Sequence, residues 1–268
     1  MTAVRLMLVY PAAATGVFLS LLQVAAPDIA LLTVTRRRDA RTEWHAVVRR
    51  FVFWSQEVGA RRGIVVWLQM IVLFLAASLA TGAINSLVFS SSEWRWSFQP
   101  SIAAFVLALL IALFLDAGAL FEENGWRGYA LPLLLRRYPP LVASLMLGLA
   151  WAAWHYPVKY NAFLDYGLVD GALYLTAFTL KIVLTTIIIT YFWQRAGRAT
   201  IIAVAMHGLS NDSLRVQGRL VGDSSRISIL SELTISAPLL VITVFLLWRT
   251  RGRLGVPATP ANPPLPSR

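Results

Sequence analysis

From 64 to 89 the chain runs without one ionisable side chain: IVVWLQMIVLFLAASLATGAINSLVF. At ~1.5 Å per residue a helix of that stretch is long enough to cross the ~30 Å hydrocarbon core of a bilayer. Inside that core no water satisfies backbone N–H and C=O groups, so a spanning segment must be a helix or part of a closed barrel. The run is continuously apolar, without the alternation of a barrel strand, and this points to a helix. Comparable stretches occur at 6–34, 101–135 (interrupted), 140–155, 171–193, 200–212 and 228–248. The expected fold is therefore all-α: a polytopic bundle of about seven transmembrane helices forming one membrane domain over 1–248. Composition agrees, with 57% hydrophobic residues and only 14% charged, where a soluble domain carries roughly 25% charged.

The net charge of +11 raises the question of nucleic acid, and the placement of the arginines answers it. They cluster in short segments between apolar runs, as the positive-inside rule requires, with no basic stripe interleaved with stacking aromatics. Nucleic acid is thus not an expected partner; the lipid bilayer is. The segment 35–63 holds Arg36, Arg37, Arg38, Arg41, Arg49, Arg50, Arg61 and Arg62. Trp44, Val47, Val48, Phe51 and Phe53 within it suggest an amphipathic helix on an anionic cytoplasmic surface. Arg127, Arg136, Arg137, Arg195, Arg198 and the basic tail would share its side. Arg5, Arg95, Lys159, Arg215, Arg219 and Arg226 would lie opposite. This predicts an outside N-terminus and a cytoplasmic C-terminus, in a bacterial plasma membrane. Residues 6–34 imitate a signal peptide up to Val24-Ala25-Ala26, but Pro27 follows and the apolar run resumes, so a retained first helix is expected. The tail, 249–268, ends VPATPANPPLPSR and is expected to be disordered. Zero cysteines exclude disulfides, thiolate metal sites and a cysteine nucleophile.

Ionisable groups inside a span are costly, and each is a functional hypothesis. Three patterned groups occur. In Glu122-Glu123-Asn124-Gly125-Trp126-Arg127, Glu123 and Arg127 are four apart in the favourable order for a helical ion pair. Glu122 points about 100° away, left without that partner, which suits a proton-accepting role. In Trp151-Ala152-Ala153-Trp154-His155, the indole and imidazole are again i,i+4. In His207-Gly208-Leu209-Ser210-Asn211, two polar side chains share that spacing on a short apolar helix. If the third helix continues past the glutamates to about Leu135 and turns at 136–140, Glu122 and His155 lie at matching depth, ~21–23 Å from the turn. His207 and Asn211 fall ~14 and ~20 Å from Arg198 on the same scale.

This ordered set, EExxxR, then aromatic-xxxH, then HxxxN, resembles the CPBP family, which comprises CaaX-prenyl endoproteases and bacteriocin-processing or self-immunity proteins (Abi). The stretch EENGWRGYALP is especially characteristic, and the resemblance covers about 115–212. One departure is the phenylalanine that usually opens the second motif, which here is Trp151. The resemblance implies an intramembrane protease. Glu122 and His155 would activate water, His207 and Asn211 would bind the tetrahedral oxyanion, and Glu123 and Arg127 would shape the carboxylate pair. The substrate would be a peptide or membrane protein, lipidated or not.

A metal-dependent mechanism would use Glu122, His155 and His207 around zinc or another divalent ion. HExxH is absent and Asn211 is a poor zinc ligand, so the expectation is a glutamate-type hydrolase with no cofactor. GxGD and GxSxG are absent as well. A non-proteolytic scaffold or self-immunity protein of the same fold is the alternative. A small transporter using Lys181, Asp116 and Glu232 is another, although one or two buried polar pairs joining helices explain those residues more simply.

Overall fold

The computed structural model describes residues 23–34, 40–211, 216–221 and 224–256. The expected N-terminal orientation, the start of the first helix, Arg36 to Arg38 and the end of the proline-rich tail lie outside them. The described chain is an α-helical bundle with five helical units long and apolar enough to cross a membrane. Two shorter apolar helices bring the apolar set to the seven regions expected.

The helices are α1 (Gln23–Val34), α2 (Ala40–Arg50), α3 (Gly59–Val88) and α4 (Ile102–Phe114). They continue as α5 (Ala117–Glu123), a π-helical turn over Asn124–Ala130, α6 (Leu131–Leu134) and α7 (Pro140–Lys159). Then come α8 (Asn161–Arg195), α9 (Thr200–Ser210) and α10 (Ser225–Thr250). Two short strands, β1 (Trp94–Arg95) and β2 (Arg219–Leu220), pair antiparallel. They join the loop after α3 to the loop before α10.

The third expected helix does continue past the glutamates. Ile102–Leu134 forms one apolar unit, broken at Leu115 and restarted by Asp116, whose side chain caps α5 by accepting from Ala119 N at 2.8 Å. Side-chain acceptors at an N-cap satisfy the orphan donors of the first turn. Immediately after the two glutamates the helix widens to π geometry. A π-bulge needs an external partner for displaced backbone groups. Here Asp28 of α1 accepts from Gly125 N at 3.1 Å and from Asn124 Nδ2 at 3.3 Å. Gly125 permits this approach, since a Cβ there would stand 2.7–2.8 Å from Pro27.

Several boundaries differ from the expected ones, each for a local reason. The amphipathic helix is α2 alone and ends at Arg50; Arg61 and Arg62 belong to the first turns of α3. Its Trp44 and Val48 are exposed, while Val47 is buried against the π-helical turn. Arg50 Nη1 donates to Gly128 O at 2.9 Å. The run expected to close at His155 continues through Pro157 to Lys159. The segment expected at 171–193 starts at Asn161 and kinks at Gly167, whose φ of 81° is favourable only for glycine.

α9 is the hub. From Ile202 through Leu209 every residue is buried, the all-round apolar character of a helix enclosed by others. It packs against α4, α5, α8 and the π-helical turn. Gly208 makes the closest approach, because a Cβ would come within 2.0 Å of Ala112 O on α4. Outside the hub, Leu68, Val72, Leu107, Val241 and Phe245 are exposed, as lipid-facing side chains should be.

Candidate active site

α5, the π-helical turn, α7 and α9 bring the three motifs together. Glu123 and Arg127 are both fully buried, and Arg127 Nη1 donates to Glu123 Oε1 at 2.5 Å. The ion pair expected from their spacing is present. Arg127 Nη2 also donates to Thr186 Oγ1 of α8 at 3.3 Å, and the guanidinium lies 4.4 Å from the Trp151 ring centroid. His207 Nδ1 lies 3.0 Å from the same Glu123 Oε1. One carboxylate oxygen therefore ties the first motif to the third.

Glu122 is separate from that pair, as the 100° offset predicts, and it is buried at 4% exposure. It is not, however, without a partner. Trp151 Nε1 donates to Glu122 Oε2 at 2.9 Å. This bond is tertiary, and it uses the atom that the usual phenylalanine lacks, so the first motif alone gives no sign of it. The Trp151 ring also contacts His155 and His207 edge-on, with centroids 5.9 and 4.8 Å apart. Trp151 is 1% exposed and is the common neighbour of Glu122, Arg127 and both histidines.

His155 points its Nδ1 at the Trp151 carbonyl, 2.8 Å away. A carbonyl only accepts, so Nδ1 carries the proton, and in the neutral imidazole Nε2 is left as the acceptor. Its orientation thus comes from the Trp151 backbone as well as from the ring beside it. α9 ends at Ser210 and Asn211 is its C-cap, with its backbone N–H donating to Gly208 O. Its Nδ2 donates to Asp116 at 3.1 and 3.2 Å. Asp116, which also caps α5, thus orients an asparagine.

Each polar member of the third motif is therefore held by a carboxylate: His207 by Glu123, Asn211 by Asp116. Lys181 and Glu232, considered for transport, form an ion pair between α8 and α10 at 2.6 Å. That is the helix-joining role expected of them. Trp151, His155, His207 and Asn211 line a cavity of about 760 Å³ formed mainly by α3, α7, α8, α9 and α10. Among the described residues no three His, Asp or Glu side chains are arranged to hold a metal ion. Of the set a metal-dependent mechanism would use, His207 turns its Nδ1 to Glu123 and His155 its Nδ1 to a carbonyl, which leaves the Nε2 of each outside these bonds.

The Trp151–Glu122 bond yields a stability prediction. A hydrogen bond to a charged group contributes about 1.5–3 kcal/mol, whereas a buried indole N–H without a partner contributes nothing by that route. Trp154 Nε1 is such an unpartnered donor. Thermal unfolding in detergent should show Trp151→Phe losing roughly 2 kcal/mol, and Trp154→Phe clearly less. Equal losses would contradict the assigned bond.

Fold and site together define an integral membrane protein with a buried Glu–Arg–His centre beside a cavity. Residues 101–212 match the family described as type II CAAX prenyl endopeptidase, Rce1-like. This is the same stretch in which the three motifs resemble the CPBP family. A curated relative, CAAX prenyl protease 2 of Methanococcus maripaludis, is 33% identical over 132 residues. That alignment covers 48% of this chain and 45% of the relative, so the chain spans less than half the length of the curated protein it matches.

Proposed function

We propose that the chain is an intramembrane endopeptidase of glutamate type. The observation that carries the reading is the division of labour between adjacent buried carboxylates. Glu123 is committed to Arg127 and His207. Glu122 gives one oxygen to Trp151, and among the described residues no hydrogen bond engages the other. In this reading a water lies between that oxygen and His155 Nε2. Glu122 takes the proton as the water attacks the peptide carbonyl and later delivers it to the leaving amine.

The developing oxyanion needs donors fixed in advance. Asn211 Nδ2 has a second N–H beyond the one turned to Asp116. His207, with Nδ1 committed to a carboxylate, donates from Nε2 only as the imidazolium, which Glu123 is placed to balance. With Arg127 counted, the four central groups then sum to zero charge, the favourable state for a buried cluster. No step in this reading passes through a metal. The arginine-rich α2 and the 136–137 and 195–198 turns face the cytoplasm in this reading.

The relative's name supplies the first substrate to try, a prenylated peptide ending in a CaaX sequence. The apolar cavity beside the site suits such a lipidated chain. Purified protein in vesicles should cut it at one peptide bond, read by mass spectrometry. His155→Ala should lower the rate by about 10²–10⁴-fold with unchanged protein level and thermal stability. Absence of cleavage of this peptide and of single-span membrane peptides alike, or full activity in His155→Ala, would overturn the proposal.

A further inference from the structure

Among the described residues, Lys159, Lys181 and Arg219 line the cavity wall and no Asp or Glu does. Much of the remaining surface is apolar, including Met70, Phe74, Ile182 and Leu239. Lys181 is balanced from behind by Glu232 of α10. Lys159 makes no ion pair among the described residues; its Nζ donates to Tyr174 Oη at 3.0 Å. Both ammonium groups lie 5.0 Å from the Phe178 ring centroid, and the His155 ring lies 5.6 Å from it. Two cations and the imidazole of His155 thus surround one aromatic ring.

A cation without a counter-ion in a low-dielectric wall is costly, and an arriving anion relieves that cost more effectively there than in water. Asn211, the histidines and the backbone explain nothing about why this charge is placed here. We propose that Lys159, supported by Lys181, forms a subsite for a carboxylate of the peptide substrate. The subsite rests on the proteolytic reading, because the ligand it anchors is the peptide being cut.

Geometry sets the register. Lys159 follows His155 by one helical turn on the same face of α7, ~6 Å along the axis. An extended peptide advances ~3.3–3.6 Å per residue. The anchored carboxylate therefore falls within roughly three residues of the scissile bond. The carboxylate is supplied either by the chain terminus or by an acidic side chain near it. Arg219, exposed on β2, extends the same positive field to the cavity mouth and favours entry of the acidic end first.

The test uses three probes on the full chain in vesicles: a prenylated CaaX-type peptide acid, its C-terminal amide, and that amide with aspartate as last residue. Binding is followed by tryptophan fluorescence and cleavage by mass spectrometry. The acid should bind at least tenfold more tightly than the amide. Lys159→Ala should erase that preference and Lys159→Arg should retain most of it. An aspartyl amide that binds like the acid identifies a side-chain carboxylate as sufficient; one that binds like the plain amide identifies the terminus. Equal binding of acid and amide, a preference that survives Lys159→Ala, or failure of all three probes to bind would overturn the subsite. Preference for the acid without cleavage of it or of single-span membrane peptides would instead sink the proteolytic reading and leave Lys159 as a carboxylate-binding site alone.

Discussion

Glu122→Gln should abolish peptide hydrolysis while leaving the bundle intact. Glutamine keeps the shape of the side chain, and its amide oxygen still accepts from Trp151 Nε1, so the 2.9 Å contact has a replacement. What is lost is the ability to take a proton from water. A positioned general base contributes about 10²–10⁴-fold, and the initial rate should fall by that factor with little change in Tm. Glu123→Gln should behave in the opposite order. It removes the charge that balances the fully buried Arg127 and holds His207, so Tm should fall before any kinetic argument is needed. Two neighbouring substitutions of identical chemistry would then separate catalysis from architecture. A Glu122→Gln rate within tenfold of wild type would remove Glu122 from the reaction.

Arg127→Ala should be the most destabilising of the single substitutions considered. Arg127 is fully buried, pairs with Glu123, reaches Thr186 and stacks on Trp151. Truncating one partner of a buried pair strands the other charge and typically costs about 3–5 kcal/mol. Arg127→Lys should rescue only part of this, because a single ammonium does not reproduce the planar fork and the stacking surface. The pair itself is a different matter. Replacing both partners together, as Glu123→Leu with Arg127→Met, should recover much of the lost stability, since apolar isosteres of buried pairs are often neutral or better. The recovered double variant should stay inactive, because His207 has lost its carboxylate. Thermal unfolding in detergent reads the first effect and the peptide assay the second. A native Tm in Arg127→Ala would contradict the buried-pair account.

What the sequence revealed follows the range of each interaction. The Glu123–Arg127 pair lies one turn apart on a single helical segment, so spacing alone located it. The shared depth of Glu122 and His155 followed from counting residues to a common turn at 136–140, and the structure joins them through Trp151. The bonds that cross between helices left no periodic trace. His207 to Glu123, Trp151 Nε1 to Glu122 and Asp28 to Gly125 each depend on which faces meet in the bundle. The departure from phenylalanine at Trp151 was visible, but its consequence, an indole N–H aimed at a carboxylate, required the packing. Asn211 closes α9 as its C-cap, and its bond to Asp116 is another contact between segments that spacing does not relate. The π-helical turn was likewise hidden, because its extra residue is paid for by contacts from α1 and α2 rather than by its own sequence.

The central claim is that water held by Glu122 and His155 attacks the peptide bond directly. It is tested most directly by single-turnover cleavage of the prenylated peptide in ¹⁸O-water, with protein that has been treated with a metal chelator. The account predicts undiminished cleavage, one solvent oxygen in the newly formed carboxyl group, and no acyl adduct on the protein by intact mass. Loss of cleavage on chelation with return on adding zinc, or an acylated protein at early times, would contradict it.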